Sequence, residues 1–519
     1  MIQPETRTQN PIEPTPGNPL RISPELAQKI QEALLEAGLF YVVPPHKYEL
    51  HKDRRTKTLL LDSTLVEIFK PLIEPGSNQA MLDIEDLSRQ VISGSDVGLN
   101  IKSAEEIRRG TLAHFSLSSQ FSRSQSGRIW LEENLDAGDQ ARLELDPHLT
   151  PQNPIGKGSL VRVDILKQQN GEIVSCDPNI MPLGMAHNYG FSSVLRSETG
   201  LDAVQSEIYL EHLRDLAREN FGITGILTGL HYPNWSSHMY IAKAVTTRHG
   251  LPFFIIPTDC LEEGLINVPN LKAFYKALNL PGISALPGHD RVVPACLIRY
   301  AREASHFHPQ TRVINPPGVR ITESQIWGAL ASISGFSDCL SEMGIEVSLS
   351  SLLKATTPSL LCRLNSHGLE MAVECKVTPA GRFETVWEKA EENLSLFQAA
   401  MDQIHSQEKQ SERAWYVKSP ATTGKKGVRY TNDGSVSKAP SLISKAAKDK
   451  ASGKIFIVQP KIRSTHLQDG VEKRLKTNLF LSGEHLDFAG ADCMLTPISQ
   501  RAAHGGSETE TCLIKVSNT

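Results

Sequence analysis

The segment from Val161 to Gly184, VRVDILKQQNGEIVSCDPNIMPLG, limits the possible folds of this chain more than any other stretch. Its apolar positions 161, 163 and 165 alternate with Arg162 and Asp164, and side chains of a strand alternate between its two faces. The residues QNG at 169–171 then predict a tight turn, because Asn and Gly accept the positive φ of a short hairpin. The segment therefore predicts two antiparallel strands.

The second strand of this hairpin returns polar side chains to the first. Asp177 and Asn179 follow the turn at alternate positions, as Arg162 and Asp164 precede it. One cation and three oxygen-bearing side chains thus share a patch. Such a patch suits Mg²⁺, which takes oxygen ligands, and phosphate, which an arginine holds through two parallel hydrogen bonds. The alternative is an ordinary two-stranded ribbon with a polar outer face.

This pattern resembles the magnesium and phosphate hairpin of the circularly permuted ATP-grasp ligases, a family that includes glutathionylspermidine synthetase. The resemblance implies an α/β fold with α+β elements, in which a circularly permuted ATP-grasp unit joins a pre-ATP-grasp α/β domain. It implies ATP and Mg²⁺ as cofactors, Asp164, Asp177 and Asn179 as metal ligands, and Arg162 as a catalytic residue on phosphate. The family usually has Glu where this chain has Asp177, so the shorter arm must bind closer or through water.

Composition narrows the class of protein. A chain of 519 residues has room for about two to four domain-sized units. The formal net charge of -4 gives no reason to expect nucleic acid as a partner. The longest apolar runs, such as 251–256, are too short for a bilayer and the first residues are too polar for a signal peptide, so we expect a cytoplasmic protein without a membrane partner. The eight cysteines form no C-x-x-C pair and predict neither a zinc site nor a disulfide framework.

Composition and the order of the predicted strands and helices divide the chain into four regions. Residues 1–22 carry several prolines and few apolar residues, which predicts a flexible tail. Residues 23–200 end in the metal and phosphate hairpin, and their stretch 116–128, SLSSQFSRSQSGR, is predicted to be a polar loop. Residues 201–310 alternate strand, helix and strand, which predicts a parallel sheet and matches the substrate domain of the resemblance. Residues 311–519 are then the nucleotide-binding lobes.

Several polar residues match positions near the acceptor site of the family. His238 and Asp259 lie in such a helix and strand, although a first helical turn and a strand cap also explain them. Arg299 matches a family arginine after a strand, with a surface ion pair as the alternative. Asn315 and Glu323 match an Asn-Pro loop and its following helix, where helix capping gives a similar pattern. The resemblance therefore makes Arg299 and Glu323 catalytic candidates.

A glycine-bearing loop predicts a phosphate site in the nucleotide half. A strand at 415–417 leads into Lys418, and SPATTGKKGVRY follows. Backbone N–H groups of such a loop approach phosphates while the lysine adds its charge; the Walker A pattern is absent. The stretch resembles the ATP-grasp glycine-rich loop, with a solvated lysine turn as the alternative. The predicted nucleotide contacts are Lys376, Lys418, Thr423, Gly424, Lys425, Gly427, Gln459 and Lys461.

Two later segments complete the resemblance. The apolar strand at 455–458 runs into Gln459 and resembles the hinge that bonds the adenine edge; a core strand without ligand is the alternative. The segment LFLSGEHLDFAGADCMLTP predicts a hairpin that turns at 482–484. The family usually has an arginine soon after the Ala-Gly turn, but here 489–490 is followed by Ala491 and Asp492. Catalytic competence is therefore open.

The resemblance implies an ADP-forming ligase that joins a small carboxylate and an amine through an acylphosphate, on an amino acid or small peptide. Substrate specificity is assigned to loops at 185–200, 231–238 and 258–320, and a homodimer is allowed. The departures at 177 and 489–490 favour the alternative of a degenerate ATP-grasp protein that binds nucleotide as a regulatory module. A dinucleotide-dependent oxidoreductase is less favoured, because no G-x-G-x-x-G follows a strand in 201–310.

Overall fold

The structure of the chain is a computed structural model. It describes residues 19–36, 41–43, 56–61, 73–83, 90–135, 158–168, 171–180, 185–200, 207–220, 222–229, 235–288, 291–300, 306–314, 323–392, 414–418, 428–432, 455–468, 470–498 and 510–516, with positions 14, 16–17, 45, 63, 66–67, 70, 156, 304, 395, 399–400, 420, 441 and 443–445. Within these ranges, no helix is long and apolar enough to cross a membrane.

Helices and several separate sheets make up a mixed α/β protein, which confirms the predicted α/β class. The helices are α1 Pro24–Glu36, α2 Ile101–Arg123, α3 Gln125–Asn134, α4 Met185–Thr199, α5 Glu207–Glu219, α6 Trp235–His249, α7 Val268–Ala277, α8 Ile326–Ala331, α9 Phe336–Glu342 and α10 Leu349–Ala355. The strands are β1 Leu20–Arg21, β2 Tyr41–Val42, β3 Thr56–Leu60, β4 Gln79–Asp83, β5 Gln90–Ser93, β6 Leu160–Lys167, β7 Ile173–Asn179, β8 Ile223–Thr228, β9 Phe254–Pro257, β10 Leu261–Glu262, β11 Leu265–Asn267, β12 Val292–Val293, β13 Ala295–Arg299, β14 Arg312–Val313, β15 Leu360–Asn365, β16 Gly368–Val377, β17 Phe383–Lys389, β18 Ala414–Lys418, β19 Val428–Asn432, β20 Phe456–Pro460, β21 Thr465–Gln468, β22 Val471–Ser482, β23 Asp487–Pro497 and β24 Glu510–Lys515.

The largest sheet gathers strands from the beginning, middle and end of the chain, in the order β1-β5-β24-β23-β22-β6-β7 with β21 beside β22. Strands β6 and β7 pair antiparallel, and β22 and β23 form a second antiparallel hairpin that turns after Ser482. Both hairpins confirm the sequence prediction. Alternate residues such as Val163 and Leu479 are buried in one cluster with Phe115 of α2, so α2 covers one face of the sheet.

Two predicted loops are helices. Residues 116–128 belong to α2 and α3, and residues 185–199 form α4. In the first, Leu117 and Phe121 are one turn apart and buried, and the Phe121 ring lies 5.7 Å from that of Trp327. In the second, Tyr189 and Leu195 are buried in the core. Tertiary burial of an apolar stripe thus outweighs the modest helix propensity of the Ser and Asn residues around it.

The middle of the chain forms a parallel sheet of order β14-β13-β8-β9. Helix α6 connects β8 to β9, so the predicted strand, helix, strand unit is confirmed. Leu213 and Leu216 of α5 share a core with Ile226 of β8 and Val245 of α6. The carboxyl ends of β8 and β13 lie side by side, where ligands of open α/β sheets bind.

Residues 360–460 contain an antiparallel sheet of order β17-β16-β15-β20-β18-β19, which confirms the predicted strands at 415–417 and 455–458. One face packs with α8 and α9 and buries Leu361, Cys375 and Ile457. The other face buries Val417 and Val458 in a separate cluster. The remaining sheets are small, with the orders β10-β11-β12 and β2-β4-β3.

Candidate functional site

The face of the largest sheet that points away from α2 carries charged and amide side chains. Arg162 and Asp164 lie on β6, Lys476 and Asn478 on β22, and Asp492 on β23. They alternate with residues such as Val163, Leu475, Leu479 and Cys493, which pack toward α2. Asn478 pairs directly with Asp164 on one side and with Asp492 on the other. We call these five residues the polar face. Strand alternation and register place them together.

Asp164 is the centre of the polar face. Its Oδ1 lies 2.8 Å from Nε of Arg162 and its Oδ2 lies 2.6 Å from Nζ of Lys476. The side chains of Asp164 and Lys476 are 9% and 10% exposed. Burial alone would raise the pKa of Asp164, but the two cations outweigh it and hold that pKa below its ordinary value. Asp164 is therefore an ionised carboxylate with both oxygens in ion pairs.

The far end of the Arg162 guanidinium is available to a ligand. Its Nε is the atom bound to Asp164, and among the described residues no hydrogen bond or ion pair involves its two Nη atoms. The side chain is 21% exposed. Because Asp164 fixes the plane of the guanidinium, the two Nη atoms present a planar pair of donors. That geometry suits a phosphate or a carboxylate.

An amide network holds α4 against the polar face. Nδ2 of Asn478 donates to Oδ1 of Asp492 at 2.5 Å, and Nδ2 of Asn188 donates to Oδ2 of the same carboxylate. Oδ1 of Asn478 is buried and has no hydrogen-bond partner among the described residues. A buried oxygen without a donor is costly, so this atom is a candidate acceptor or ligand for a bound molecule.

One short turn, residues 323–325, joins the hairpin to the second antiparallel sheet. Oε1 of Glu323 accepts the backbone N–H of Ile180, just after β7, at 2.6 Å. Ser324 donates its hydroxyl to the carbonyl of Pro420, two residues beyond Lys418. Gln459 of β20 donates Nε2 to Gln325 at 3.4 Å. The turn 323–325 therefore contacts the hairpin, the start of the glycine-bearing loop and the predicted hinge.

The sequence predicted Glu323 within the helix that follows the Asn-Pro loop, but Glu323 precedes α8. Its side chain instead makes a buried hydrogen bond to the backbone N–H of Ile180, just after β7. Its position nevertheless lies between the two halves of the site. Asn315 lies outside the described residues.

Replacing Glu323 by leucine is expected to lower the free energy of unfolding by about 2 kcal/mol, because the buried N–H of Ile180 loses its acceptor. Urea denaturation of the purified variant measures the change. Glu323→Gln is the matched control: it retains a side-chain oxygen and should cost less than about 1 kcal/mol. Equal stability of the two variants would show that this contact does not hold the hairpin.

The predicted nucleotide contacts divide between two faces of the antiparallel sheet. Lys418 pairs with Ile457, which packs toward α8, and Gln459 lies on that same face. Lys376 is exposed between Cys375 and Val377, both of which pack toward α8, so its side chain points to the other face. The structure therefore does not bring Lys376 and Lys418 together.

The remaining predicted contacts lie partly beyond the described residues. Lys461 follows β20 and is half-buried. The loop residues Thr423, Gly424, Lys425 and Gly427 lie outside the described residues.

The substrate-side candidates lie at the carboxyl edge of the parallel sheet. Arg299, the last residue of β13, is 2% exposed, so the alternative of a surface ion pair is wrong. His238 lies in the first turn of α6, with Nδ1 3.0 Å from the hydroxyl of Thr228 and its ring 4.3 Å from that of Tyr300. Burial lowers the pKa of His238 to about 3, so this imidazole is neutral. Asp259 lies in a short 3₁₀ helix after β9.

Asp164, one of the three predicted metal ligands, has both carboxylate oxygens in ion pairs. Across the hairpin, Asp177 pairs with Asp164 and Asn179 with Arg162, although the side chain of Asp177 lies outside the described residues. Both oxygens of Asp164 already contact cations, so a metal would have to displace Arg162 or Lys476. Elsewhere, the described residues contain no group of three His, Cys, Asp or Glu that could hold a metal. Asp164 thus holds two cations rather than offering free oxygens.

Four members of this site were missed from the sequence: Lys476, Asn478, Asp492 and Asn188. The available signal was the polar KTN triplet within the long apolar strand β22.

The expected Ala-Gly turn also differs: Ala489 and Gly490 lie inside β23, where the register shifts and Gly490 has a φ of 142°. A strand continues there because glycine accepts this φ, and it carries Asp492 onto the polar face.

Fold and site together define a mixed α/β protein in which a charged sheet face is linked by one turn to a second antiparallel sheet. No protein-family model and no curated protein sequence matches the chain. Among solved structures, it aligns with a glutathione synthetase-like effector from Globodera pallida in its apo form, with TM-score 0.46 and 11% identity, over 95% of this chain and 96% of that chain. It also aligns with a candidate gamma-glutamylcysteine synthetase from Methylobacillus flagellatus KT, with TM-score 0.35 and 10% identity, over 76% of this chain and 84% of that chain.

Proposed function

We propose that this chain is an ATP-dependent carboxylate–amine ligase that releases ADP and acts on an amino acid or small peptide. The observation that carries the proposal is the turn 323–325, which contacts the end of the hairpin, Pro420 at the start of the glycine-bearing loop and Gln459 of β20. A triphosphate between these parts would meet the donors of Arg162 on one side and Lys418 on the other. Phosphoryl transfer requires cations around the transferred phosphate, and here two parts of the chain would supply them from opposite sides.

The proposed reaction has two steps. A carboxylate oxygen of the first substrate attacks the γ-phosphorus of ATP, the bond to the β-phosphate oxygen breaks, and ADP leaves. The amine nitrogen of the second substrate then attacks the acyl carbon, phosphate leaves, and the nitrogen loses a proton to give the amide. In the first step Arg162 holds the phosphoryl oxygens as their charge redistributes. Arg299, at the carboxyl edge of the parallel sheet, is the proposed anchor of the carboxylate substrate.

Magnesium bound with ATP would neutralise phosphate charge, and Asp177 and Asn179 on β7 are its proposed ligands. Asp164 is assigned a different role: it fixes the orientation of the Arg162 guanidinium through Nε. Gln459 and the residues after it are the proposed contacts of the nucleotide base. Lys461 and the loop residues Thr423, Gly424, Lys425 and Gly427 are proposed contacts of ATP because the loop resembles the ATP-grasp glycine-rich loop.

ADP release that requires both a carboxylate and an amine is the expected result for the wild-type protein. Arg162→Lys should lower this rate about a hundredfold, because lysine keeps the charge but loses the paired donors that orient the phosphoryl group. The measurement is a coupled ADP assay over panels of amino acids and short peptides. Arg128→Lys, on the exposed surface of α3, is the control and should retain the full rate. An Arg162→Lys protein with the wild-type rate would contradict the assignment.

A second function is supported by two observations. Asp164 is neutralised by Lys476, and Asp492 rather than an arginine lies on β23. Both features suit a protein that binds nucleotide without turnover and acts as a regulatory module. Such a protein would gain thermal stability from ATP but release no ADP with any substrate pair. The same ADP assay, run beside thermal unfolding with ATP, separates the two functions.

A further inference from the structure

A cavity opens at the amino-terminal edge of the parallel sheet, opposite the edge that holds Arg299. Its volume is about 140 Å³, and its lining includes Asn220, Ile223, Ala295, Cys296, Gln310 and Arg312. We propose that this cavity binds a small monocarboxylate, with Arg312 as the group that holds the carboxylate. The site is independent of the proposed function, because it lies at the other end of the strands from the candidate active site.

The register of the sheet places one row of side chains beside this cavity. Thr224 of β8 pairs with Cys296 of β13, and Cys296 pairs with Arg312 of β14. Paired residues of adjacent parallel strands point to the same face of a sheet. The side chains of Thr224, Cys296 and Arg312 therefore lie next to one another on one face.

Helix α5 covers that face. Ile298 lies two residues beyond Cys296 and shares its face, and it approaches Leu216 of α5 at the same point beside Gly158. The helix ends at Glu219, and the next residue, Asn220, lines the cavity. The cavity therefore lies between the end of α5 and the row of Thr224, Cys296 and Arg312.

Arg312 gives the cavity its charge preference. It is the one charged side chain among the described residues of the lining. It is half-buried, and its guanidinium makes no hydrogen bond or ion pair with any described residue. A guanidinium presents paired donors that match the two oxygens of a carboxylate. A phosphate group carries nearly two charges, and one arginine would leave part of that charge uncompensated, so a monocarboxylate is the better match.

Thr224 supplies a second group for the ligand. It is 1% exposed, and its Oγ1 has no hydrogen-bond partner among the described residues. Buried polar atoms of folded proteins nearly always have a partner, and a carboxylate oxygen that accepts from this hydroxyl would provide one. The backbones of β8 and β14 are about 10 Å apart, a span that the long arginine side chain and one carboxylate can bridge.

The volume and the apolar part of the lining limit the rest of the ligand. A protein cavity of about 150 Å³ holds a molecule the size of benzene, which has about six non-hydrogen atoms. Ile223 and Ala295 are buried apolar residues at the start of β8 and β13. They would contact a short alkyl chain while the carboxylate meets Arg312. Butanoate has this size and form.

The experiment measures butanoate binding to the full chain by saturation-transfer NMR at constant ionic strength. We expect the wild type to bind butanoate at least about tenfold more tightly than butanamide, which has the same shape without the charge. Arg312→Met should weaken butanoate binding at least about tenfold, and Thr224→Val, which removes the hydroxyl at nearly constant shape, at least about threefold. Arg291→Met changes an exposed arginine just before β12 and should bind as the wild type does.

Three results would overturn the proposal: no butanoate binding by the wild type, equal binding of butanamide, or equal binding by Arg312→Met, which would assign butanoate to another group such as Arg299. Unchanged affinity in Thr224→Val would overturn the role of the hydroxyl. Inorganic phosphate that displaces butanoate as well as propanoate does would overturn the choice of a monocarboxylate. If Arg312→Met does not fold, Arg312→Lys decides: it keeps the charge without the paired donors, and we expect about fivefold weaker binding. Wild-type affinity in that variant would contradict the role of Arg312.

Discussion

Replacing Asp164 by asparagine is expected to lower the free energy of unfolding by about 3–5 kcal/mol, a large fraction of the stability of a typical domain. The change removes a carboxylate that contacts two cations at once. Lys476 is 10% exposed and Arg162 is 21% exposed, so water cannot replace the lost carboxylate at Lys476 and does so only in part at Arg162. Urea denaturation at neutral pH, where Asp164 is ionised, measures the loss.

Two controls test whether the loss comes from the uncompensated charge. Adding Lys476→Met to Asp164→Asn should recover about half of the lost stability or more, because removing both members of a buried pair costs much less than removing one. Asp215→Asn breaks the ion pair between Asp215 and Arg214, in which the Asp215 side chain is 46% exposed. This change should lower the free energy of unfolding by less than about 1 kcal/mol. If Asp164→Asn costs no more than Asp215→Asn, the three charges do not form a buried unit.

Replacing His238 by glutamine is expected to make the protein less sensitive to acid. His238 is neutral in the folded protein because burial lowers its pKa to about 3, whereas the imidazole of an unfolded chain takes a proton near 6.5. Between these two values the unfolded state binds more protons than the folded state. The wild type therefore loses about 1.4 kcal/mol of stability from this group for each pH unit below 6.5, and the variant does not.

The measurement is a series of urea denaturations from pH 7 to pH 4.5, for the wild type and His238→Gln. The difference in stability between the two proteins should shift in favour of the variant by about 2–3 kcal/mol over this range. His367→Gln, at an exposed turn between β15 and β16, is the control and should follow the wild type. Parallel pH curves for wild type and His238→Gln would mean that folding does not lower the pKa of His238.

Local sequence patterns predicted much of the fold. The alternation around Arg162 and Asp164 with the turn at 169–171 predicted the β6-β7 hairpin, which the structure contains. The strand, helix, strand alternation predicted the parallel sheet, and the apolar strands of the nucleotide half were also found. These features depend on neighbours in sequence, and the period of two or 3.6 residues is visible without the tertiary structure.

Other elements were decided by distant contacts. The serine-rich stretch 116–128 is helical because Phe121 packs against Trp327, a residue far away in sequence. The expected loop 185–200 is helix α4, and its Asn188 is bonded to Asp492 of β23. Propensity alone favours neither helix. The faces of Lys376 and Lys418 likewise depend on strand order and on a bulge in β16, which residue spacing does not reveal.

The sequence by itself determined that a hairpin presents Arg162 and Asp164 on one face, because side-chain direction in a strand follows from alternation alone. Only the tertiary structure decided what those side chains meet. Strand β22, from the last tenth of the chain, lies beside β6 and brings Lys476 to the carboxylate that the pattern had assigned to a metal. Which strand pairs with which depends on the summed burial of the whole sheet, and no local stretch encodes that sum.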